Sequence, residues 1–222
     1  DPKRFDKFTI SASGLTLDYS KNHLVPETKK LLVDLAQQCG VKDKIEEMFS
    51  GAPINTTENR PVLHTALRNF SDEPVYVDGE NIMPLVKSTL EKIKVFVNDV
   101  SSGVTKGYSG KAFTDIVAIG IGGSFLGPKI MSEALKPYRQ KHLNVHYVAN
   151  VDGCHIHDVL SGLDPETTLV ITSSKTLTTQ ETLRNTESAK EWFLKQADVA
   201  DIQHNFACVS SNIEAAKSFG IS

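Results

Sequence analysis

The run Ile116-Val117-Ala118-Ile119-Gly120-Ile121 leads directly into Gly122-Gly123-Ser124, and a helical pattern follows from Phe125 to Leu135. A short, continuously apolar run rich in β-branched residues is typical of a strand buried on both faces of a parallel sheet. The glycines behind it mark the turn at which such a strand gives way to a helix. The stretch therefore predicts a strand-turn-helix unit and, with it, an α/β fold.

The same alternation continues along the rest of the chain. Further strand-length apolar runs are Val145 to Val148, Thr168 to Thr172 and Phe206 to Val209. Helical patterns separate them at residues 155–160 and 179–196, and another begins at residue 213. Because parallel strands are joined by right-handed crossovers, we expect a three-layer αβα sandwich with a mainly parallel sheet.

The first half of the chain has a different pattern of apolar residues. Apolar residues recur at helical spacing from Glu27 to Phe49, with a break at Gly40, and again from Ile82 to Val100. A short helix is expected within residues 61–70, and Asp78-Gly79 marks a turn. The Gly/Ser-rich stretch of residues 101–110 then separates this helical region from the region in which strands and helices alternate. We expect a helical N-terminal segment, residues 1–110, that packs on a further domain, and a second domain, residues 111–222.

Composition excludes several classes of function. The chain has 222 residues, a net charge of -3 and 40% hydrophobic residues, which is typical of a globular protein. It has no basic face for nucleic acid, and its apolar runs are much shorter than the roughly 18 residues of a membrane-spanning helix. Three well-separated cysteines indicate free thiols and a cytoplasmic location. The strand-helix alternation is still in progress at the last residues, so we expect the chain to be part of a longer one.

The glycine-rich turn after the first strand could hold a ligand. Glycines let a ligand approach the backbone, and the start of a helix offers N–H groups to an anion. The dinucleotide fingerprint fails because Phe125 occupies its third glycine position, and the Walker loop fails because Pro128 stands where lysine is required. Two interpretations stay open here, an anion-binding turn and a tight turn without a ligand.

A second turn carries more chemistry. Hydroxyl residues crowd around Lys175 directly after the strand that ends at Thr172: Ser173, Ser174, Thr176, Thr178 and Thr179. Thr178-Thr179-Gln180-Glu181 matches a capping box, with Thr178 as the N-cap and Glu181 reaching back. Hydroxyls, a lysine and a helix start suit a terminal phosphate, which has three acceptor oxygens and about two negative charges. The alternative, a hydroxyl-rich cap that binds nothing, needs fewer hydroxyls than this turn has.

Other chemistry has weaker signals. His155-x-His157 has no cysteine or carboxylate partners at a metal-ligand spacing, so no metal site is predicted. A nucleophile elbow is also missing, because Leu126 stands where its last glycine belongs.

At the two turns the sequence resembles the glucose-6-phosphate isomerase family. The matching segments are Ile119-Gly120-Ile121-Gly122-Gly123-Ser124-x-Leu126-Gly127-Pro128, Val148-Ala149-Asn150-Val151-Asp152-Gly153, Ser174-Lys175-Thr176-x-Thr178-Thr179-Gln180-Glu181-Thr182 and Ala189-Lys190-Glu191-Trp192-Phe193-Leu194. Either turn alone is compatible with any sugar-isomerase (SIS) domain, whereas both in this order are specific. The resemblance runs from the N-terminal helices to the end of the chain. It implies an SIS-type, flavodoxin-like fold for residues 111–222.

The resemblance also implies roles for individual residues. The substrate phosphate would be held by Ser174, Lys175, Thr176, Thr178 and Thr179. Gly123 and Ser124 would lie against the sugar, and Glu181 would lie near the site in a supporting polar role.

Enzymes of this family interconvert glucose 6-phosphate and fructose 6-phosphate in glycolysis and gluconeogenesis. They open the sugar ring and move a proton between C2 and C1 through a cis-enediol. The glutamate base, ring-opening histidine, arginine and late lysine of the family would all lie downstream of Ser222, so we expect this chain alone to be inactive. The resemblance further implies no metal or organic cofactor, a cytoplasmic homodimer for the longer protein, and no nucleic-acid or membrane partner.

Two other functions remain as alternatives. One is another SIS-domain sugar-phosphate isomerase, against which the helical segment before Asp115 and the Gly122-Gly123-Ser124 turn argue. The other is a sugar-phosphate-sensing module of a regulator, which would need a basic DNA-reading helix that the N-terminal segment lacks. An extracellular signalling role, also known for the family, is neither supported nor excluded by the sequence.

Overall fold

The computed structural model describes residues 1–221 and divides into two compact units, Asp1–Leu90 and Glu91–Ser222. The helices, in chain order, are α1 (Arg4–Lys7), α2 (Pro26–Gln38), α3 (Val41–Ser50), α4 (Met83–Ser101), α5 (Gly123–Ala134), α6 (Gly153–Ser161), α7 (Gln180–Phe193), α8 (Ile202–Asn205) and α9 (Ile213–Ser218). The strands are β1 (Thr9–Ala12), β2 (Leu15–Asp18), β3 (Tyr76–Val77), β4 (Glu80–Asn81), β5 (Asp115–Ile119), β6 (Asn144–Val148), β7 (Thr168–Ser173) and β8 (Phe206–Val209). Short 3-10 turns lie at Ala66–Arg68, Lys136–Tyr138, Pro165–Thr167 and Val199–Asp201. The predicted division at residue 110 stays a prediction.

The first unit contains a helical pair and two hairpins. The predicted helix from Glu27 to Phe49 with a break at Gly40 is confirmed as α2 and α3. The short helix expected within residues 61–70 is a single 3-10 turn. The predicted turn at Asp78-Gly79 is also confirmed, because it joins β3 to β4.

The hairpin of β1 and β2 was not predicted from the sequence. Its two-residue turn has Ser13 at φ 51° and Gly14 at φ 76°, the left-handed conformations that hairpin turns require. The register pairs Ile10 with Leu17 and Ala12 with Leu15, so one face of the hairpin is apolar. That face is exposed, since Ile10 and Leu17 each keep about half of their surface open to solvent.

The second unit is built on a four-stranded parallel sheet in the order β6-β5-β7-β8. β5 lies in the interior of the sheet, paired in register with β6 on one side and with β7 on the other. β8 pairs with the outer edge of β7. The predicted α/β fold with a mainly parallel sheet and helical layers is confirmed.

Side chains from the two faces of the sheet form two separate apolar clusters. On one face, Val117 and Val170 pack with Phe193 of α7. On the other face, Leu169 packs with Val100 of α4 and with Phe113. The sequences of the strands are continuously apolar because successive residues point to opposite faces of the sheet and both faces are covered.

Buried polar side chains tie the loops to this core. Asn205 has no exposed surface, and its side chain makes three hydrogen bonds to backbone groups. The Tyr108 N–H donates to Asn205 Oδ1 at 2.9 Å, while Asn205 Nδ2 donates to the carbonyl oxygens of Pro165 and Thr168 at 3.0 and 2.9 Å. One side chain thus holds together the segment before β5, the turn before β7 and the start of β8.

We expect Asn205→Ala to lower the free energy of unfolding by about 3 kcal/mol, because one part-buried donor and two buried acceptors lose their partner. Urea denaturation followed by circular dichroism measures the change. Gln203→Ala is the matched control, since the exposed Gln203 amide also donates to a backbone carbonyl, that of Ala200 at 3.0 Å. The control should change stability by less than about 0.5 kcal/mol. Equal losses in the two variants would contradict the role assigned to Asn205.

Candidate functional site

The glycine-rich turn and the hydroxyl-rich turn identified in the sequence lie side by side in the structure. Because β5 and β7 are neighbours and parallel, their carboxyl ends meet at the same edge of the sheet, with Ile119 opposite Thr172. Residues 120–124 follow β5 and residues 174–179 follow β7. Ligands of parallel α/β sheets bind at this edge.

The first turn depends on two glycines. A Cβ at Gly120 would lie 2.6 Å from the Ser124 carbonyl oxygen, so no other residue fits there without a shift of the turn. Gly122 has φ 57° and ψ -120°, a combination that favours glycine, and precedes α5 without any side-chain cap. Gly123 is exposed, and a Cβ at that position would meet nothing within 4 Å. The backbone at the start of α5 is therefore open to a ligand.

The second turn is organised around Ser174, which is buried. Its N–H donates to the Val209 carbonyl oxygen at 3.1 Å, and its hydroxyl oxygen accepts from the Leu177 N–H at 3.2 Å. The same hydroxyl donates to Thr179 Oγ1 at 3.4 Å. Ser174 thus shapes the turn from inside, while Lys175, Thr176 and Thr178 are exposed.

Leu177 has an unusual backbone. Its φ is 53°, a left-handed value that is rare for a leucine, and its side chain is buried with 6% of its surface exposed. Such a conformation costs of order 1 kcal/mol and persists only where the surroundings enforce it. Burial of the side chain and the bond from its N–H to Ser174 provide that enforcement here. The turn is consequently held in one shape.

The predicted capping box at the start of α7 is wrong. The N-cap is Thr179, not Thr178, and no side chain caps the helix. The Thr178 hydroxyl instead pairs with the Thr176 hydroxyl at 2.7 Å, and Glu181 is the second residue of the helix, too early to reach back as the box requires. The first N–H groups of an α-helix have no partner within the helix. At α7 they consequently remain available to an anion from outside.

All eight predicted site residues lie on these two turns or on the first turns of the helices behind them. Gly123 and Ser124 begin α5, and Glu181, which is partly buried, lies in the first turn of α7. The remaining five residues form the turn between β7 and α7: Ser174, Lys175, Thr176, Thr178 and Thr179. Their assignment as substrate ligands stays a prediction.

A third group of residues was missed in the sequence. Ser210, Ser211 and Asn212 follow β8 and donate hydrogen bonds to the carbonyl oxygens of Lys175 and Thr176. The signal that could have revealed them is a run of three hydrogen-bonding residues directly after a predicted strand.

Three further findings concern thiol reactivity, metal binding and membrane insertion. Burial raises the pKa of the Cys208 thiol on β8, which favours the protonated and unreactive form at neutral pH. Within residues 1–221, no group of three or more His, Cys, Asp or Glu side chains is arranged to hold a metal ion. In the same part of the chain, no helix has both the length and the apolar character needed to cross a membrane.

Comparison with known proteins gives consistent matches. Residues 18–222 match the family model described as phosphoglucose isomerase. The glucose-6-phosphate isomerases of Alteromonas mediterranea and Pseudoalteromonas atlantica are 58% and 57% identical to the chain. Both matches cover 100% of this chain and 41% of the relative, so the chain spans less than half the length of these curated relatives.

A solved structure agrees with these sequence matches. The crystal structure of a glucose-6-phosphate isomerase from Chlamydia trachomatis matches with a TM-score of 0.80 at 28% identity. The match covers 95% of this chain and 40% of that protein. The resemblance predicted from the two turns is thereby confirmed.

The geometry of the first turn predicts a sharp difference between two Gly→Ala variants. Gly120→Ala should lower the free energy of unfolding by about 2 kcal/mol, because the added methyl group overlaps the Ser124 carbonyl oxygen. Gly127→Ala, inside α5 with open space around the added methyl group, should leave stability unchanged or raise it by up to about 1 kcal/mol. Thermal unfolding of both variants measures the difference. A Gly120→Ala variant as stable as the unsubstituted chain would show that the turn does not need the close approach.

Proposed function

The chain belongs to the phosphoglucose isomerase family, and we propose that its turn from Ser174 to Thr179 binds the phosphate group of a hexose phosphate. The observation that carries the proposal is the uncapped start of α7, surrounded by exposed hydroxyls and a lysine. An anion at a helix N-terminus gains roughly 0.3–1 kcal/mol from the helix dipole. Hydrogen bonds to its charged oxygens add about 1.5–3 kcal/mol each.

The exposed groups of the turn match what a phosphate needs. Thr176 and Thr178 bring two hydroxyls within 2.7 Å of each other on the solvent side of the turn. Lys175, also exposed, adds a positive charge. Ser174 and Thr179 lie deeper in the turn. The Ser174 hydroxyl donates to Thr179 Oγ1 at 3.4 Å, so the Thr179 hydroxyl hydrogen would be the one that reaches the phosphate, with Ser174 supporting it.

The sugar would extend from the phosphate toward the neighbouring turn. Support comes from the adjacency of β5 and β7 and from the open backbone at Gly123, where nothing lies within 4 Å of an added Cβ. Ser124 would contribute its hydroxyl to a sugar oxygen, because its N–H already donates to the Ile121 carbonyl oxygen at 3.1 Å. Glu181, partly buried in the first turn of α7, would take a supporting polar role.

We infer that this half-site serves the interconversion of glucose 6-phosphate and fructose 6-phosphate through a cis-enediol. The names of the relatives support this reaction. A phosphate bound far from C1 and C2 supplies binding energy that can orient those carbons against a general base. The base, the ring-opening group and the groups that stabilise the enediolate would come from the part of the longer relatives that this chain does not match.

The site as proposed needs no metal or organic cofactor, because phosphate binding and proton transfer use protein groups alone. Free cysteines at Cys39, Cys154 and Cys208 support a reducing, cytoplasmic location. The homodimeric state of the longer protein stays a prediction of the resemblance.

Phosphate binding by the 222-residue chain tests the site. Adding inorganic phosphate or fructose 6-phosphate should shift the amide NMR signals of residues 174–182 and 122–124. The triple variant Lys175→Ala, Thr176→Ala, Thr179→Ala should abolish these shifts, because it removes the charge and two hydroxyls. The double variant Thr89→Ala, Lys92→Ala, which removes an exposed threonine and lysine of α4, should leave them intact. Shifts that persist in the triple variant would mean that phosphate binds elsewhere.

Catalysis by the chain alone is expected to be absent. In a coupled assay with fructose 6-phosphate, the purified 222-residue chain should show no turnover above the blank, because the proposed general base would lie in the part of the longer relatives that this chain does not match. The full-length enzyme of Alteromonas mediterranea serves as the positive control. Turnover by the chain that is removed by the triple variant would place a complete catalytic site within these residues and refute the proposal.

A further inference from the structure

The turn after β8 contacts the turn after β7 through a dense set of hydrogen bonds. The Lys175 carbonyl oxygen accepts from the Ser211 N–H at 3.0 Å, from Ser211 Oγ at 2.7 Å and from Ser210 Oγ at 3.1 Å. The next carbonyl oxygen, that of Thr176, accepts from Asn212 Nδ2 at 3.2 Å. Two consecutive peptide groups are therefore fixed from the same side.

Fixing a carbonyl group also fixes the N–H of the same peptide. In a trans peptide the C=O and the N–H point in opposite directions. Because the Lys175 carbonyl points at Ser210 and Ser211, the Thr176 N–H points away from them. Within residues 1–221, neither a backbone nor a side-chain group accepts from that N–H. It is a donor held in place with its hydrogen-bonding capacity unused.

The second fixed carbonyl has a corresponding effect. The Thr176 carbonyl points at Asn212, so the Leu177 N–H points away from it and reaches Ser174 Oγ at 3.2 Å. This bond belongs to the left-handed conformation of Leu177, with φ 53°. The hydrogen bonds from the turn after β8 thus help to enforce the strained shape of the turn after β7.

The turn after β8 is itself anchored. The Asn212 N–H donates to Ser210 Oγ at 3.0 Å, and Asn212 Oδ1 accepts from the Ala215 N–H at 3.0 Å, which caps α9. The Ser174 N–H also donates to the Val209 carbonyl, continuing the pairing of β7 with β8 beyond its end. A rigid sheet edge and a helix start therefore hold the three donating residues.

We propose that Ser210, Ser211 and Asn212 are positioning residues that pre-form the phosphate-binding turn. The inference rests on the proposed function of that turn. A turn ordered during folding does not lose conformational freedom when the ligand arrives, so its donors bind more tightly than those of a mobile turn. None of the three residues needs to touch the phosphate, because they act through the backbone of Lys175 and Thr176.

The double variant Ser210→Ala, Ser211→Ala tests the proposal in the 222-residue chain, with inorganic phosphate and fructose 6-phosphate as probes. We expect the dissociation constant for each probe to rise about five- to tenfold, a loss typical of one or two weakened hydrogen bonds. The phosphate-induced NMR shift of the Thr176 amide should shrink, and the melting temperature should change little.

The double variant Ser210→Thr, Ser211→Thr keeps both hydroxyls and should restore binding. The matched control is Ser218→Ala, since Ser218 Oγ donates to the Ala215 carbonyl at 2.9 Å, away from both turns.

Asn212 allows a second, separate test. Asn212→Ser keeps an N-cap oxygen for α9 but cannot extend an amide donor to the Thr176 carbonyl. It should weaken phosphate binding while the helix stays formed, and it replaces the double variant if the latter fails to fold. If the unsubstituted chain binds phosphate and these variants bind it equally well, the positioning role is refuted alone. If the unsubstituted chain binds no phosphate, the proposed function and this inference fall together.

Discussion

The pairing of β5 with β7 is the constraint on which the candidate site depends. These strands are separated in sequence by α5, β6 and α6, yet they are hydrogen-bonded neighbours in the sheet. Their parallel direction brings a glycine turn and a hydroxyl-rich turn to one edge. A sheet in which β6 lay between β5 and β7 would place a third strand between the turns, roughly 5 Å further apart. The order of the strands, more than any single side chain, therefore allows one small molecule to meet both turns.

Much of the fold could be predicted because the strands are buried on both faces. The apolar run at residues 116–121 is shorter than a typical helix and rich in β-branched residues, and both properties favour a buried strand. The hairpin of β1 and β2 was missed because its apolar face is exposed and its strands are only four residues long. The turn Ser13-Gly14 was its one clear signal. Weak alternation over four residues does not distinguish a hairpin from a loop.

The composition of the candidate site could be predicted, but its internal geometry could not. Hydroxyls and a lysine after a strand are visible in the sequence, and they point to an anion. The choice between Thr178 and Thr179 as N-cap could not be made from the sequence, because both are threonines and the left-handed backbone at Leu177, two residues before the N-cap, could not be predicted. The hydrogen bonds from Ser211 to Lys175 could not be predicted either, since predicting them requires knowing that β8 lies beside β7.

The bonds from Ser210, Ser211 and Asn212 all end on carbonyl oxygens. These bonds therefore do not depend on which side chains residues 175 and 176 carry. Mutation can exchange the charge and hydroxyls on the outside of the turn while the backbone scaffold underneath persists. Ligand preference and the backbone conformation of the turn can thus change independently during evolution. Substitutions at the exposed positions could favour a different anion while the hydrogen bonds that shape the turn are kept.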